Sequence, residues 1–422
     1  MRDGSDAPRR GPGRPLAARF PALAHRGFRL LWIGQCISVA GSQMQSAAIL
    51  WHVALITHSP RALGMIGLFS LIAIVIFSPL GGAVADSRDR RQVLLVTSVL
   101  LAAAAALLAW MTLTGRVSLA AIYAITALSA AVVAFANPAR HALLPNLVPR
   151  EDFSSAVSLT SIASQVASIV GPTLAGALIG VGWLGYTYLA NAVSFLAVVV
   201  ALLMIPAMGP ASGGEGGAIS LAALRDGFRF VWRAPILVWT IVLDFLATFF
   251  SSATCLLPLF ATDVLRVGAH GYGLLAAASG IGSLVAGSAM AVQRRVQRQG
   301  LLILTAVGAY GFTTVLFGIS RWFWLSWLAL ALIGASDTVS TILRQTIRQM
   351  VTPDALRGRM TSVNMLFFKG GPQLGELEAG LVAQAIGAPA AVVVGGVGCL
   401  LAVAWVAARA PQLRHYRHEG AL

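Results

Sequence analysis

Residues 158–176 read SLTSIASQVASIVGPTLAG, and residues 362–380 read SVNMLFFKGGPQLGELEAG. The two runs share a serine, two glycines and an alanine at one offset of 204 residues, which is close to half of the 422-residue chain. The same offset aligns Arg140 with Arg344. An ungapped repeat at this distance predicts two halves of similar structure that run in the same direction.

Hydrophobic residues make up 57% of the chain and charged residues 11%. Because soluble domains carry about 25% charged residues, this composition indicates a lipid environment. Twelve apolar segments have about the length of a transmembrane helix, which is roughly 20 residues. They cover residues 29–56, 62–85, 92–113, 118–137, 155–180, 183–208, 236–260, 271–292, 300–320, 322–343, 360–386 and 388–409. We therefore predict an all-α membrane protein with twelve transmembrane helices in two pseudo-symmetric six-helix bundles.

The chain divides into five predicted parts. Residues 1–27 form a disordered basic tail, and residues 28–208 form the first six-helix bundle. A cytoplasmic linker, residues 209–235, has the flexible composition ASGGEGG near its start and ends in an amphipathic helix. Residues 236–410 form the second bundle, and residues 411–422 form a cytoplasmic tail. The linker therefore separates the two bundles.

The arginines are distributed unequally between the two sides of the predicted bundles. One side carries a single arginine per loop, at Arg61, Arg116, Arg266 and Arg321, whereas each loop on the other side carries two or three. Because basic loops stay in the cytoplasm, we predict that both termini are cytoplasmic in a bacterial inner or plasma membrane. This orientation accounts for the net charge of +15 without a nucleic-acid partner.

Residues 81–91, GGAVADSRDRR, follow the second apolar segment. Gly82 permits close packing at the helix end, and Asp86 can cap that helix or pair with Arg90 or Arg91. An ordinary positive-inside loop is the alternative interpretation. At this place in a duplicated twelve-helix chain, the run resembles the signature loop of the major facilitator superfamily. An aspartate replaces its second glycine, a variant of the branch that contains macrolide efflux proteins and the enterobactin exporter.

The fifth apolar segment contains Gly171 and Pro172, and Gly176 follows within about one turn. Proline removes a backbone donor and kinks a helix, and glycine lets neighbouring helices approach, so helix packing is one interpretation of the run. The run also resembles the antiporter motif of exporters in the same superfamily. That resemblance implies export rather than uptake.

The eleventh segment carries ionisable groups inside an apolar span. Lys369, Gln373 and Glu376 lie at positions i, i+4 and i+7, on one face of a helix. Each charge costs at least about 2.5–3.5 kcal/mol to insert into a membrane, so these side chains are predicted to face protein or water. A buried Lys–Glu pair that only holds helices together is the alternative to a functional site.

The seventh and tenth segments also contain charges. Asp244 lies about 12 Å into its span and is predicted to be a lone mid-membrane carboxylate, which makes it a candidate proton carrier together with Glu376. Asp337 and Arg344 are two turns apart on one face and are predicted to form a structural pair or a cytoplasmic gate. As the repeat mate of Arg140, Arg344 is also interpreted as a cytoplasmic loop anchor.

In the superfamily that the chain resembles, helices 1, 4, 7 and 10 line a central cavity. Polar stripes in three of these four segments favour a water-filled cavity here, although interhelical hydrogen bonding is an alternative interpretation. The cavity-lining candidates are Gln35, Ser42, Gln45, Thr248 and Gln373. The fourth segment lacks the arginine that many drug–proton antiporters carry in its body.

These features predict a monomeric secondary transporter that exports a small, partly hydrophobic molecule, such as a drug, macrolide or siderophore, in exchange for protons. An uptake carrier on the same fold and a non-transporting sensor are the alternatives. The sequence shows no metal-ligand cluster, nucleophile–base set or phosphate loop, so neither an enzymatic activity nor a cofactor is predicted.

Overall fold

The computed structural model describes residues 20–206, 228–293, 296–353 and 356–416. Twelve long helices, α1 to α12, occupy this part of the chain, which contains no β-strand. Residues 1–19 of the predicted basic tail and most of the predicted linker lie outside the described residues. The rest of the predicted tail is ordered, because it contains a short 3-10 helix, Pro21–Ala24, and the start of the long helix Arg26–Thr57.

The first six helices are α1 (Arg26–Thr57), α2 (Pro60–Ser87), α3 (Arg90–Leu113), α4 (Leu119–Leu143), α5 (Phe153–Gly180) and α6 (Leu184–Leu203). The second six are α7 (Pro235–Ser251), α8 (Gly268–Val292), α9 (Gln299–Ile319), α10 (Phe323–Val351), α11 (Arg357–Ile386) and α12 (Ala388–Arg409). Local sequence sets several boundaries, because the side chains of Ser59, Asp89 and Ser118 accept hydrogen bonds from the first turns of α2, α3 and α4.

The seventh helix is shorter than predicted. The apolar segment 236–260 predicts one continuous helix, but α7 ends at Ser251 and the chain continues in short turns to Val264. Two features accompany the interruption. Ser252 donates its hydroxyl hydrogen bond to the carbonyl of Thr248, and Pro258 lacks the N–H that a continuous helix would need.

Two helices extend beyond their predicted ends. The fourth apolar segment ends at residue 137 and the tenth at residue 343, whereas α4 reaches Leu143 and α10 reaches Val351. The extension places Arg344 and Arg348 inside α10, where both side chains are buried. The interpretation of Arg344 as a loop anchor is therefore wrong, because the residue lies within the packed helix.

The two bundles share a core at only one end. We call the end that holds the start of α1 and the end of α12 the terminal face, and the other end the opposite face. Near the opposite face, one apolar core combines side chains of both bundles, including Ile49, Trp51, Leu108, Phe260, Tyr272 and Phe317. Near the terminal face each bundle has its own core, around Phe28, Leu94 and Leu143 in the first bundle and around Ile303, Leu343 and Ile347 in the second. The bundles therefore meet at the opposite face and separate toward the terminal face.

Two helix crossings join the bundles through glycine. At the crossing of α2 and α11, a Cβ atom on Gly380 would lie 2.8 Å from the Cα of Gly64. At the crossing of α5 and α8, a Cβ atom on Gly273 would lie 2.7 Å from the Cα of Gly176. Such spacing leaves no room for a side chain, so backbone contacts backbone at both crossings.

The helices have the length and surface of a membrane protein. Ten of the twelve are long and apolar enough to cross a bilayer by composition. The exceptions are α1, which carries the polar stripe of the first apolar segment, and α11, which contains Lys369, Gln373 and Glu376. Large aromatic side chains are exposed at helix ends of the opposite face, as expected for a membrane interface: Trp110, Trp183, Tyr186, Trp322 and Trp324. The predicted twelve-helix membrane fold is confirmed.

Candidate functional site

A cleft between the bundles opens at the terminal face. On α5, Ser168 and Gly176 pack closely against α8. Ser154, Ser158 and Ser161 continue the same face of α5 toward the terminal face, and their side chains are exposed. The face that contacts α8 near the opposite face therefore borders open space in the terminal half. This serine stripe was not among the predicted cavity residues, although its i, i+4, i+7 spacing is visible in the sequence.

The strongest electrostatic feature lies in the second bundle. Oδ1 of Asp244 on α7 lies 2.8 Å from Nη2 of Arg344 on α10, and Oδ2 lies 3.3 Å from Nη2 of Arg348. The three side chains are at most 5% exposed. We call Asp244, Arg344, Arg348 and the adjacent Asp337 the charge cluster.

Additional hydrogen bonds fix the two arginines. Nη2 of Arg348 donates to the carbonyl oxygen of Thr240 at 3.0 Å, so the guanidinium holds both the backbone and the carboxylate of α7. Nη2 of Arg344 donates to Oγ1 of Thr341 at 3.1 Å. Because α7 and α10 otherwise contact little, these ion pairs are the main link between the two helices near the terminal face.

Asp337 differs from the other members of the charge cluster in exposure. Its Oδ1 lies 3.8 Å from Nη2 of Arg344, and its side chain is 49% exposed. Leu328 belongs to the exposed apolar stripe of α10. It precedes Asp337 by nine residues, or about two and a half turns, so the two side chains lie on opposite sides of the helix. Asp337 therefore points away from that stripe and toward the interior.

The charge cluster corrects one sequence prediction and extends another. Asp244 is not a lone carboxylate, because two guanidinium groups contact it. Asp337 and Arg344 do lie together, as their spacing predicts. Arg348 was not among the predicted site residues, because the sequence places it with the cytoplasmic arginines beyond an apolar segment.

Glu376 lies between the bundles rather than inside one of them. It faces α2 at the glycine crossing, where a Cβ atom on Gly67 would lie 2.7 Å from its Oε2. Its backbone carbonyl also lies 3.7 Å from the Sγ of Cys255, in the segment that follows the break in α7. Among the described side chains no cation lies within ion-pair distance of this carboxylate. The side chain of Lys369 is outside the described part of the structure.

The five cavity-lining candidates occupy different environments. Gln35 and Ser42 are half-buried on α1. Gln45 is buried and accepts a hydrogen bond from Asn191 on α6 at 2.8 Å, so it packs inside the first bundle instead of lining the cleft. Thr248 and Gln373 lie at contacts of α11, with α7 and α2 respectively.

The arginines of the signature-like loop bind helix ends. Nη1 of Arg90 donates to the carbonyl of Ala142 at 2.9 Å, near the end of α4. Nε of Arg91 donates to the carbonyl of Leu202 at 2.7 Å, near the end of α6. Positive charge at the carboxyl end of a helix is stabilising, so the loop ties three helices of the first bundle together. Gly82 is half-buried in α2, and the side chain of Asp86 lies outside the described part.

The antiporter-like run takes part in two interfaces. Gly171 packs against α1, where a Cβ atom would lie 2.8 Å from the carbonyl oxygen of Ala40. Pro172 and Gly176 face Gly273 of α8 in the other bundle. The run therefore combines packing within a bundle with the contact between bundles.

Two bundles that meet at one face, enclose a cleft and carry buried charges define a secondary transporter of the major facilitator type. The family model described as "Transmembrane secretion effector" matches residues 17–419, so the chain belongs to this family of the major facilitator superfamily.

Similar proteins of known name or structure extend over nearly the whole chain. The enterobactin exporter EntS of Escherichia coli is 26% identical over 393 residues, which cover 93% of this chain and 94% of the relative. A bacterial homolog of the human lysosomal transporter Spinster, in an inward-facing and unoccupied conformation, matches with a TM-score of 0.72 and 14% identity and covers 94% of this chain and 99% of that chain. A bacterial homologue of the iron transporter ferroportin, in an inward-facing state, matches with a TM-score of 0.69 and 19% identity over 92% of this chain and 99% of that chain. The chain is thus a multi-pass membrane transporter.

Proposed function

We propose that the protein exports a small, partly hydrophobic molecule from the cytoplasm in exchange for protons, as a monomer that alternates between two open states. The single observation that carries this proposal is a cleft that is closed by backbone contact at one face, is open at the other and contains buried ionisable groups. Relatives that export a siderophore support export over uptake.

The direction of the open cleft follows from the distribution of arginine. The terminal face carries the arginine-rich loops, and the positive-inside rule supports a cytoplasmic position for it. The described state is then open to the cytoplasm, where an exporter loads its cargo. Closing this face and separating the glycine crossings would release the cargo on the other side of the membrane.

The position of Glu376 suits a proton carrier. Its carboxylate lies at the crossing of α2 and α11, which must separate when the opposite face opens. Opening would expose Glu376 to the outside, and closing would return it to a dry contact beside Gly67, where a neutral carboxyl group is less costly than a charged one. Lys369, two turns earlier on α11, is proposed to tune this carboxyl group.

The cargo class follows from the cleft and from the relatives. Exposed serines of α5 line one wall and offer hydrogen-bonding hydroxyl groups to a cargo. A siderophore, macrolide or other drug of moderate size fits this description.

The test is efflux of ethidium from cells that express the chain, with and without a protonophore. Glu376→Gln is compared with Glu378→Gln, a half-buried carboxylate two residues later on the same helix. We expect protonophore-sensitive efflux in the parent protein and in Glu378→Gln, and at least a tenfold loss in Glu376→Gln. Efflux that resists the protonophore would contradict proton coupling, and equal activity of the two variants would remove Glu376 from the mechanism.

A further inference from the structure

We propose that Asp337 is the group in the open cleft at which a proton and the cargo replace each other, a role separate from that of Glu376 at the crossing of α2 and α11, and that the cargo carries a positive charge; this inference rests on the proposed function. Asp244, the carboxylate that the sequence favours, instead holds the helices together.

Asp244 is enclosed. Its side chain is 5% exposed, and both of its oxygens face a guanidinium group. A proton on Asp244 would leave Arg344 and Arg348 buried with one counter-charge fewer, and a buried unpaired charge is strongly unfavourable. Asp244 is therefore a poor place for a proton that must come and go in each cycle.

Asp337 has the opposite properties. Its side chain is 49% exposed on the interior side of α10, and its nearest cation, Arg344, lies 3.8 Å away and is already engaged by Asp244 at 2.8 Å. Protonating Asp337 breaks no short ion pair. Proton exchange with cleft water needs no rearrangement of the helices.

The groups around Asp337 come from each helix packed nearby. Arg344 lies on its own helix, Asp244 on α7 and Tyr310 on α9, and the hydroxyl of Thr341 is one turn away. On α8, residues 273–292 contain no ionisable side chain. The charge balance near Asp337 is therefore set by the charge cluster.

The net charge of the charge cluster couples proton binding to cargo binding. With Asp337 ionised, the two carboxylates and two guanidinium groups of the charge cluster sum to zero; with Asp337 protonated, the sum is one positive charge. A cationic group in the cleft is attracted to the ionised form and repelled by the protonated form. Proton binding from outside would then expel a cationic cargo, which is the order of events that antiport requires.

The test measures proton release when ethidium binds to the purified protein in weakly buffered detergent solution, followed with a pH indicator. Asp337→Asn is compared with Asp263→Asn, which removes an exposed carboxylate near the opposite face. We expect about one proton released per ethidium bound by the parent protein and by Asp263→Asn, and none by Asp337→Asn. A conservative Asp337→Glu variant should restore the release.

A second readout measures transport in proteoliposomes. Asp337→Asn should lose uphill, pH-driven ethidium transport by at least tenfold, because asparagine gives the charge cluster the same net positive charge as protonated Asp337 and repels the cation, whereas Asp263→Asn should transport like the parent. If Asp337→Asn releases protons and transports uphill like the parent, the assignment of Asp337 is wrong while the proposed function stands. If the parent neither binds nor transports ethidium, both the cationic cargo and its export are contradicted.

Discussion

Replacing Gly273 by alanine tests whether backbone contact between α5 and α8 holds the opposite face closed. A Cβ atom at this position would lie 2.7 Å from the Cα of Gly176 and 2.7 Å from the carbonyl oxygen of Pro172. Non-bonded carbon atoms prefer about 3.5–4.0 Å. Because these neighbours are backbone atoms and cannot rotate aside, the two helices must separate by about 1 Å.

The cost of that separation falls on only one conformation. Overpacking of this kind costs about 1–3 kcal/mol. The state described here, in which the helices touch, bears the cost, and a state with the opposite face open does not. Alanine should therefore shift the conformational equilibrium toward opening of the opposite face by about 5-fold to 150-fold.

The assay is a spin-label distance across the opposite face. Labels at Arg116→Cys and Arg321→Cys, in a background without the native cysteines, report one exposed loop of each bundle. The matched control is Gly287→Ala on the same helix, where a Cβ atom would meet only Thr338 at 3.7 Å. We expect a new population at longer distance in Gly273→Ala but not in the control. Identical distance distributions for the two variants would refute the role of the glycine crossing.

Two further predictions concern stability. Asp244→Asn should lower the midpoint of thermal unfolding in detergent by several degrees or prevent folding, because removal of one partner from a buried ion pair costs about 3–5 kcal/mol, and adding Arg344→Gln should restore part of the loss. An unchanged midpoint in the single variant would contradict the buried charge cluster. Arg91→Ala should lower the free energy of unfolding by about 0.3–1 kcal/mol through loss of the cap on α6, whereas Arg88→Ala in the same exposed loop should not. If the two arginine variants lowered the free energy of unfolding equally in the same assay, the positive charge of the loop, and not the cap on α6, would account for the effect.

The membrane fold was predictable because its signal is local. A run of about 20 apolar residues identifies a transmembrane helix without knowledge of its neighbours. The interruption after Ser251 was harder to predict, since apolar residues lie on both sides of it and hydropathy does not detect a break in backbone hydrogen bonding. The boundaries of α10 failed for a related reason: hydropathy treats Arg344 and Arg348 as the end of a span, although both are buried.

The charge cluster was only half predictable because its signal is not local. The sequence identifies Asp244 as costly in a membrane, but its partners Arg344 and Arg348 lie about a hundred residues further along the chain. No periodicity relates one helix to another across such a distance. The position of Glu376 between the bundles, and not inside one, likewise requires knowledge of which helices cross.

The glycine crossing of α5 and α8 also acts as a fulcrum with unequal arms. Gly176 lies four residues, or about 6 Å, before the end of α5, whereas the start of the helix at Phe153 lies about 35 Å away on the other side. A rigid helix that pivots at Gly176 therefore moves about six times further at the terminal face than at the opposite face. A displacement of about 1 Å at the opposite-face end of α5 therefore becomes about 6 Å at its terminal-face end. The ratio between the movements at the two faces is thus set by the position of Gly176 along α5.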